Sequence, residues 1–263
     1  MYDFNYLRPA SLADAAKAAA GADAKILAGG QTLLPTMKQR LAQPSDLIDL
    51  GAIADLKGIR IDGNNLVIGA MTTHAEVAKS SVVKGAIPAL AALADGIGDP
   101  AVRNRGTIGG SISNNDPAAD YPAGLVGLGA TVITNKRKIA AEDFFKGLFE
   151  TALDPGEIVT AVSFPKPDKA AYMKFPQPAS RFALVGVFVS KSGNNVRVAV
   201  TGAGSKVFRQ TDMEKALAAN FSADAIKNVK QSASGLNADI HGGADYRAHL
   251  VGVMARRAVA AAG

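Results

Sequence analysis

Apolar and polar positions change rhythm several times along this chain, and each change predicts an element. Residues 2–9 read as extended. Ser11 then caps a helix, S-L-A-D-A-A-K-A-A-A, with Gly21 as its stop. An apolar strand over 25–28 runs into Gly29-Gly30, a short helix over 36–42 ends before Pro44, and 46–50 is the next strand. Residues 1–55 thus alternate strand and helix as a small α/β unit. Strands at 59–61 and 66–70 flank Asp62-Gly63-Asn64-Asn65, a hairpin turn. Thr73-x-x-Glu76 is a capping box for a helix over 75–79, which makes His74 a capping or surface residue. Another helix is expected over 88–94. The apolar run 125–134 pairs with 136–140 as a hairpin, 142–145 is a helical turn, 153–157 a turn and 158–164 a strand. Past Pro165-Lys166-Pro167-Asp168 the texture shifts to strands at 182–190 and 195–202, then helices over 213–219, 223–233 and 244–262. The predicted division is a domain over 1–167, with parts of about 1–55 and 56–167, and a packing and docking module over 168–263.

One stretch breaks this rhythm. Residues 103–122 read R-N-R-G-T-I-G-G-S-I-S-N-N-D-P-A-A-D-Y-P, with no long apolar period, so neither an ordinary helix nor a strand is expected. Glycine lets a ligand approach the main chain. The N–H groups of Gly109, Gly110 and Ser111 suggest an anion nest. The hydroxyls of Thr107, Ser111 and Ser113 and the amides of Asn114 and Asn115 add donors, and Asp120 adds an acceptor for sugar hydroxyls or a ring N–H. The turn after the strand at 25–28, K-I-L-A-G-G-Q-T-L-L-P, has similar chemistry. Two such turns suit a ligand with two phosphates and several polar edges; the plainer alternative is two tight turns. Neither has the spacing of a dinucleotide fingerprint or a P-loop.

Composition narrows the chemistry. The chain has 263 residues, 48% hydrophobic and 20% charged, enough for one large or two modest domains. It has no cysteine, so disulfides and Cys-ligated iron–sulfur clusters within the chain are excluded. Its three histidines, His74, His241 and His249, are scattered, and no metal site is expected. The net charge of +6 is spread out; the one tight cluster, Lys136-Arg137-Lys138, sits like a hairpin turn, so no nucleic-acid partner is expected. No apolar run approaches the ~20 residues of a membrane span, and no signal peptide is visible, which makes the cytoplasm the expected compartment. No nucleophile elbow occurs. Asp116 and Asp120 read as a turn and a hydrogen-bond acceptor rather than an acid–base pair. An active role therefore needs a cofactor that carries the chemistry.

The segments L-A-G-G-Q-T-L-L-P, R-N-R-G-T-I-G-G-S and D-P-A-A-D-Y-P, in this order, resemble the FAD-binding medium subunit of the molybdenum hydroxylases, the carbon monoxide dehydrogenase / xanthine dehydrogenase family. The resemblance covers nearly the whole chain. It departs at Gln31, often histidine in the family, and at Thr32, often serine. It implies an α+β fold: a two-part FAD-binding domain of the PCMH (vanillyl-alcohol oxidase-like) type, then a small α+β C-terminal domain. It also implies that Ala28, Gly29, Gly30, Gln31 and Thr32 cradle the pyrophosphate, with Lys25 and Leu27 beside the dinucleotide and Leu33 completing the turn. Thr107, Gly109, Gly110, Ser111, Asn114 and Asp120 would bind from the second stretch, and Ile158 and Lys174 match weaker family positions. No side chain is assigned a catalytic role. The molybdenum cofactor would sit on a large partner and the 2Fe–2S clusters on a small one, as a dimer of heterotrimers, and this chain would pass their electrons from FAD to an external acceptor. The zero cysteine count fits this, and argues against the branch whose flavin subunit carries its own cluster. Two other readings stay open at this point: a self-sufficient FAD oxidase or reductase, and a non-enzymatic basic assembly or nucleic-acid-binding subunit.

Overall fold

Three main sheets, each with its own helices, and the small hairpin Phe145–Gly147/Glu150–Thr151 make up the computed structural model of Met1–Gly263. The first is parallel, with Asn5–Leu7 and Ala24–Leu27 on either side of Asp46–Asp49. Parallel neighbours need crossovers, which the helices Leu12–Ala18 and Leu33–Lys38 supply. Ser11 caps the first of these, its hydroxyl accepting the Asp14 N–H, as expected. The second begins three residues earlier than its composition suggested, directly out of the glycine turn.

The second sheet is antiparallel, in the spatial order Ile59–Asp62, Asn65–Gly69, Val159–Pro165, Thr131–Thr134, Lys138–Ala140. The helices His74–Lys79, Ser81–Ala86, Pro88–Asp95, Ile108–Asn114 and Tyr121–Leu128 accompany it and share its apolar core. The Thr73–Glu76 capping box forms. The expected strand over 125–134 is corrected: its first half ends the buried helix Tyr121–Leu128, and only Thr131–Thr134 pairs. The stretch 103–122 is corrected too, since most of it is helical. Ile108–Asn114 is a helix although it holds two glycines, because its first N–H groups find partners outside it.

The third sheet is antiparallel: Lys169–Pro176, Ala183–Ser192, Asn195–Thr201, Phe208–Arg209. The helices Thr211–Ala219 and Ala244–Ala262 pack on it around a Val-rich core. The helix expected over 223–233 shrinks to one 3-10 turn, Ala223–Ile226. Phe188 leaves this sheet for the second core, fully buried against Gly124 and Gly127; a Cβ on Gly127 would lie 2.8 Å from its ring. Arg197 and Arg209 both reach Glu142, a further tie between the two sheets. No helix is long and apolar enough to cross a membrane.

Candidate functional site

A cleft of about 650 Å³ opens between the first sheet and the second, within the range of small-molecule and cofactor sites. Its walls come from the two glycine stretches. The first, residues 28–33, leaves the strand Ala24–Leu27 and turns through Gly30, whose φ of +73° is a left-handed conformation that favours glycine. The backbone N–H groups of Gly29, Gly30, Gln31 and Thr32 donate to no acceptor in the chain. Four successive free donors in a turn are an anion-binding concavity. The side chains of Gln31 and Thr32 also line the cleft without partners in the chain.

The second stretch meets the first at the cleft floor. A Cβ on Gly29 would lie 2.7 Å from the Gly106 Cα, so only a glycine at position 29 lets the two backbones touch. Here the expected nest is corrected. The Gly109 N–H donates to Ala70 O (2.8 Å), the Gly110 N–H to the Thr107 hydroxyl (3.1 Å) and the Ser111 N–H to Thr107 O (3.0 Å). What this stretch offers the cleft is side chains instead: Ser111, Ser113 and Asn114 line it and make no hydrogen bond elsewhere in the chain. The amide of Asn115 is withdrawn. It clamps the carbonyls of Gly147 and Glu150 at 2.8 and 2.7 Å, holding the hairpin that carries Phe149.

Of the residues singled out from the sequence, Lys25, Ala28, Gly29, Gly30, Gln31, Thr32, Leu33, Thr107, Gly109, Gly110, Ser111, Asn114 and Ile158 line this cleft. Leu27, Asp120 and Lys174 do not. Asp120 is 4% exposed and faces away, accepting from the Tyr172 hydroxyl and from Lys174 Nζ at 3.0 Å. Burial raises its pKa, and the Lys174 charge works against that. Lys174 Nζ also donates to Gly96 O and Arg181 O, so the pair ties the third sheet to the second and steadies the loop before Phe182. The expectation that Asp120 presents a free acceptor to a ligand is thus replaced by an internal ion pair. Neither residue could be assigned this role from the sequence, because 54 positions separate them.

Several lining residues lay outside the sequence reading of the site. Phe149 and Phe182 are both about half exposed at the cleft, isolated in sequence between unremarkable neighbours. His74, expected as a capping or surface residue, is 4% exposed at the back wall. Burial, then the Arg103 charge, lowers its pKa to about 4. Glu157 is fixed beside Ile158 by Arg137 and Thr134, and the Arg137 hydrogen bond leads the effects that hold its carboxyl down at about 2. A capping signal identifies a helix start; it does not say which residue beside it is buried.

The cleft therefore offers a row of backbone donors, a set of unpaired hydroxyls and amides, and aromatic rings. Those are the groups a pyrophosphate, a sugar chain and a flat heterocycle require. Residues 2–167 match the family described as FAD binding domain in molybdopterin dehydrogenase. The chain is 36% identical to the carbon monoxide dehydrogenase medium chain of Hydrogenophaga pseudoflava, over 98% of this chain and 96% of that one. It is 37% identical to the nicotine 6-hydroxylase medium subunit of Paenarthrobacter nicotinovorans, with the same coverage. Its fold matches a solved chain of quinoline 2-oxidoreductase from Pseudomonas putida 86 at a TM-score of 0.89 and 30% identity, covering 99% of this chain and 97% of that one. By sequence and fold, the chain belongs to the FAD-binding medium subunits of the molybdenum hydroxylases, an oxidoreductase family.

Proposed function

We propose that the cleft holds FAD with its pyrophosphate on the N–H row of residues 29–32, and that the chain relays electrons within a molybdenum hydroxylase complex. The observation that carries this is the unpaired donor row beside the unpaired side chains of Ser111, Ser113 and Asn114. Gly29 and Gly30 are half-buried and Gln31 and Thr32 exposed, so the row opens onto the cleft, where a polyanionic ligand supplies acceptors in place of solvent. Gln31, Thr32 and Thr107 add hydroxyl and amide contacts, Ile158 and Leu33 supply apolar wall, and Lys25 brings a positive charge toward the phosphates. Phe149 and Phe182 are placed to bear on a flat ring and to keep water from it. Asp120, Lys174 and Leu27 act behind the wall.

When bound, FAD supplies a carrier able to hold one or two electrons, so that single electrons arriving from 2Fe–2S clusters can leave toward an external acceptor. The chain's own part is to bind, orient and shield. With no cysteine here, the clusters belong to a small partner and the molybdenum cofactor to a large one. The reading extends to a dimer of heterotrimers in the cytoplasm, with residues 1–167 as the flavin domain and 168–263 as the C-terminal domain.

The test is an absorbance spectrum of the purified complex, followed by denaturation and identification of the released cofactor. One FAD per chain, with cysteine-rich and molybdenum-containing partners present, is the expected result. FAD on a lone chain that oxidises a small donor by itself would replace this reading with a self-sufficient oxidase. A colourless protein that takes up no added FAD would overturn it.

A further inference from the structure

His74 lines the back wall of the cleft and is only 4% exposed, yet neither of its ring nitrogens is hydrogen-bonded to any group of the chain; Nδ1 is fully enclosed, which leaves Nε2 as the nitrogen that can meet a ligand in the cleft. Folded proteins leave few buried polar atoms unpaired, because desolvation without a partner is costly. Two neighbours define the site. A Cβ on Gly106 would lie 2.6 Å from His74 Nε2, so the second glycine stretch approaches the imidazole edge with backbone alone. On the other side the Tyr121 ring stands 5.3 Å away, tilted by 49°, and its own hydroxyl is buried without a partner. The backbone of His74 is fixed as well, its N–H donating to Gly106 O at 2.9 Å. A neutral imidazole offers one donor and one acceptor, and the low pKa of about 4 keeps the ring neutral near pH 7.

We propose that His74 is a cofactor-binding residue: its Nε2 hydrogen-bonds a polar edge of the flavin dinucleotide held in the cleft, and Tyr121, packed against the imidazole, is the positioning residue that sets the ring. This rests on the FAD reading above. It adds a ligand from a helix start that neither glycine motif contains. Gly106 belongs to the same device, since any larger residue there would displace the imidazole from its place.

The experiment is an FAD titration of the deflavinated complex, read by flavin fluorescence, with thermal midpoints of the deflavinated proteins measured alongside. His74→Phe keeps a flat ring and removes both nitrogens. It is expected to weaken FAD binding about tenfold, or roughly 1.4 kcal/mol, without lowering the midpoint. His74→Gln restores a donor and an acceptor and is expected to recover part of the affinity. In protein labelled with 15N-histidine, the His74 ring signals are expected to move when FAD is added. Wild-type affinity in His74→Phe with unmoved ring signals, as a trapped water would give, overturns the proposal. So does a fall in midpoint that accounts for the whole affinity loss, which would make His74 a packing residue. If the wild-type complex takes up no FAD at all, the cofactor reading itself falls, and this inference with it.

Discussion

Two glycine-bearing stretches meet at the floor of one cleft and do opposite things there. Residues 28–33 keep the N–H groups of Gly29 to Thr32 free of any protein acceptor. Residues 107–111 commit theirs to Ala70, Thr72 and Thr107, leaving only the Thr107 N–H unpaired. The first stretch uses glycine for a left-handed turn that exposes backbone. The second uses it to bring a helix close to its neighbours: a Cβ on Gly109 would lie 2.6 Å from the Ala70 Cβ. A glycine pair in a sequence signals close approach. Whether what approaches is a ligand or the protein itself depends on where the N–H groups go.

The contrast can be broken most completely at Gly29. Gly29→Val drives a side chain into the Arg105 carbonyl and the Gly106 Cα. The two stretches must part, and FAD occupancy of the purified complex, read at the flavin absorbance band, is expected to fall to background; full occupancy would remove these loops from the site. Gly109→Ala tests the other use of glycine. Overpacking against Ala70 is expected to cost about 1–3 kcal/mol of stability in chemical denaturation. FAD affinity should change less than stability does, because no free donor is lost.

Acid separates the two stretches next. Behind the second one, His74 has a pKa lowered from 6.5 to about 4 by burial and then by Arg103. As pH falls through 6.5 the unfolded chain takes up a proton that the folded chain does not. Stability contributed by the neutral ring therefore declines until about pH 4, where both states are protonated. Urea midpoints measured from pH 7 to pH 4 are expected to fall less steeply in His74→Phe than in wild type, and identical slopes would refute this. The smallest effect is at the cap. Thr107→Ala removes the hydroxyl that accepts the Gly110 N–H, with an expected loss of about 1 kcal/mol; no measurable change in the denaturation midpoint would mean that solvent takes over the role.

The legibility of this fold followed the reach of its interactions. The strand, helix, strand, helix, strand opening was readable because Ser11, Gly29-Gly30 and Pro44 punctuate it locally. The helix Ile108–Asn114 was not. I-G-G-S-I-S-N has poor helix propensity, and the partners that hold its first turn, Ala70 and Thr72, lie more than thirty positions away. The strand Lys169–Pro176 went unread because K-A-A-Y-M-K-F-P alternates weakly; it is held by its register against Ala183–Ser192. In the site, the glycine motifs pointed to most of the cleft wall. They could not show that Asp120 would meet Lys174 instead of a ligand, nor that Phe149, Phe182 and His74 would converge on the cleft, since no short-range pattern links those positions.

Phe188 carries a consequence for anyone who would cut this protein into pieces. It is a strand residue of the third sheet whose ring fills the core of the second, seated over glycines of the helix Tyr121–Leu128. A fragment ending near residue 167 would keep the socket and lose the plug, exposing an apolar hollow beneath the helix that follows Asp120. Grafting another C-terminal unit onto the flavin-binding part would therefore require an aromatic at this register, or larger residues at 124 and 127 to close the gap.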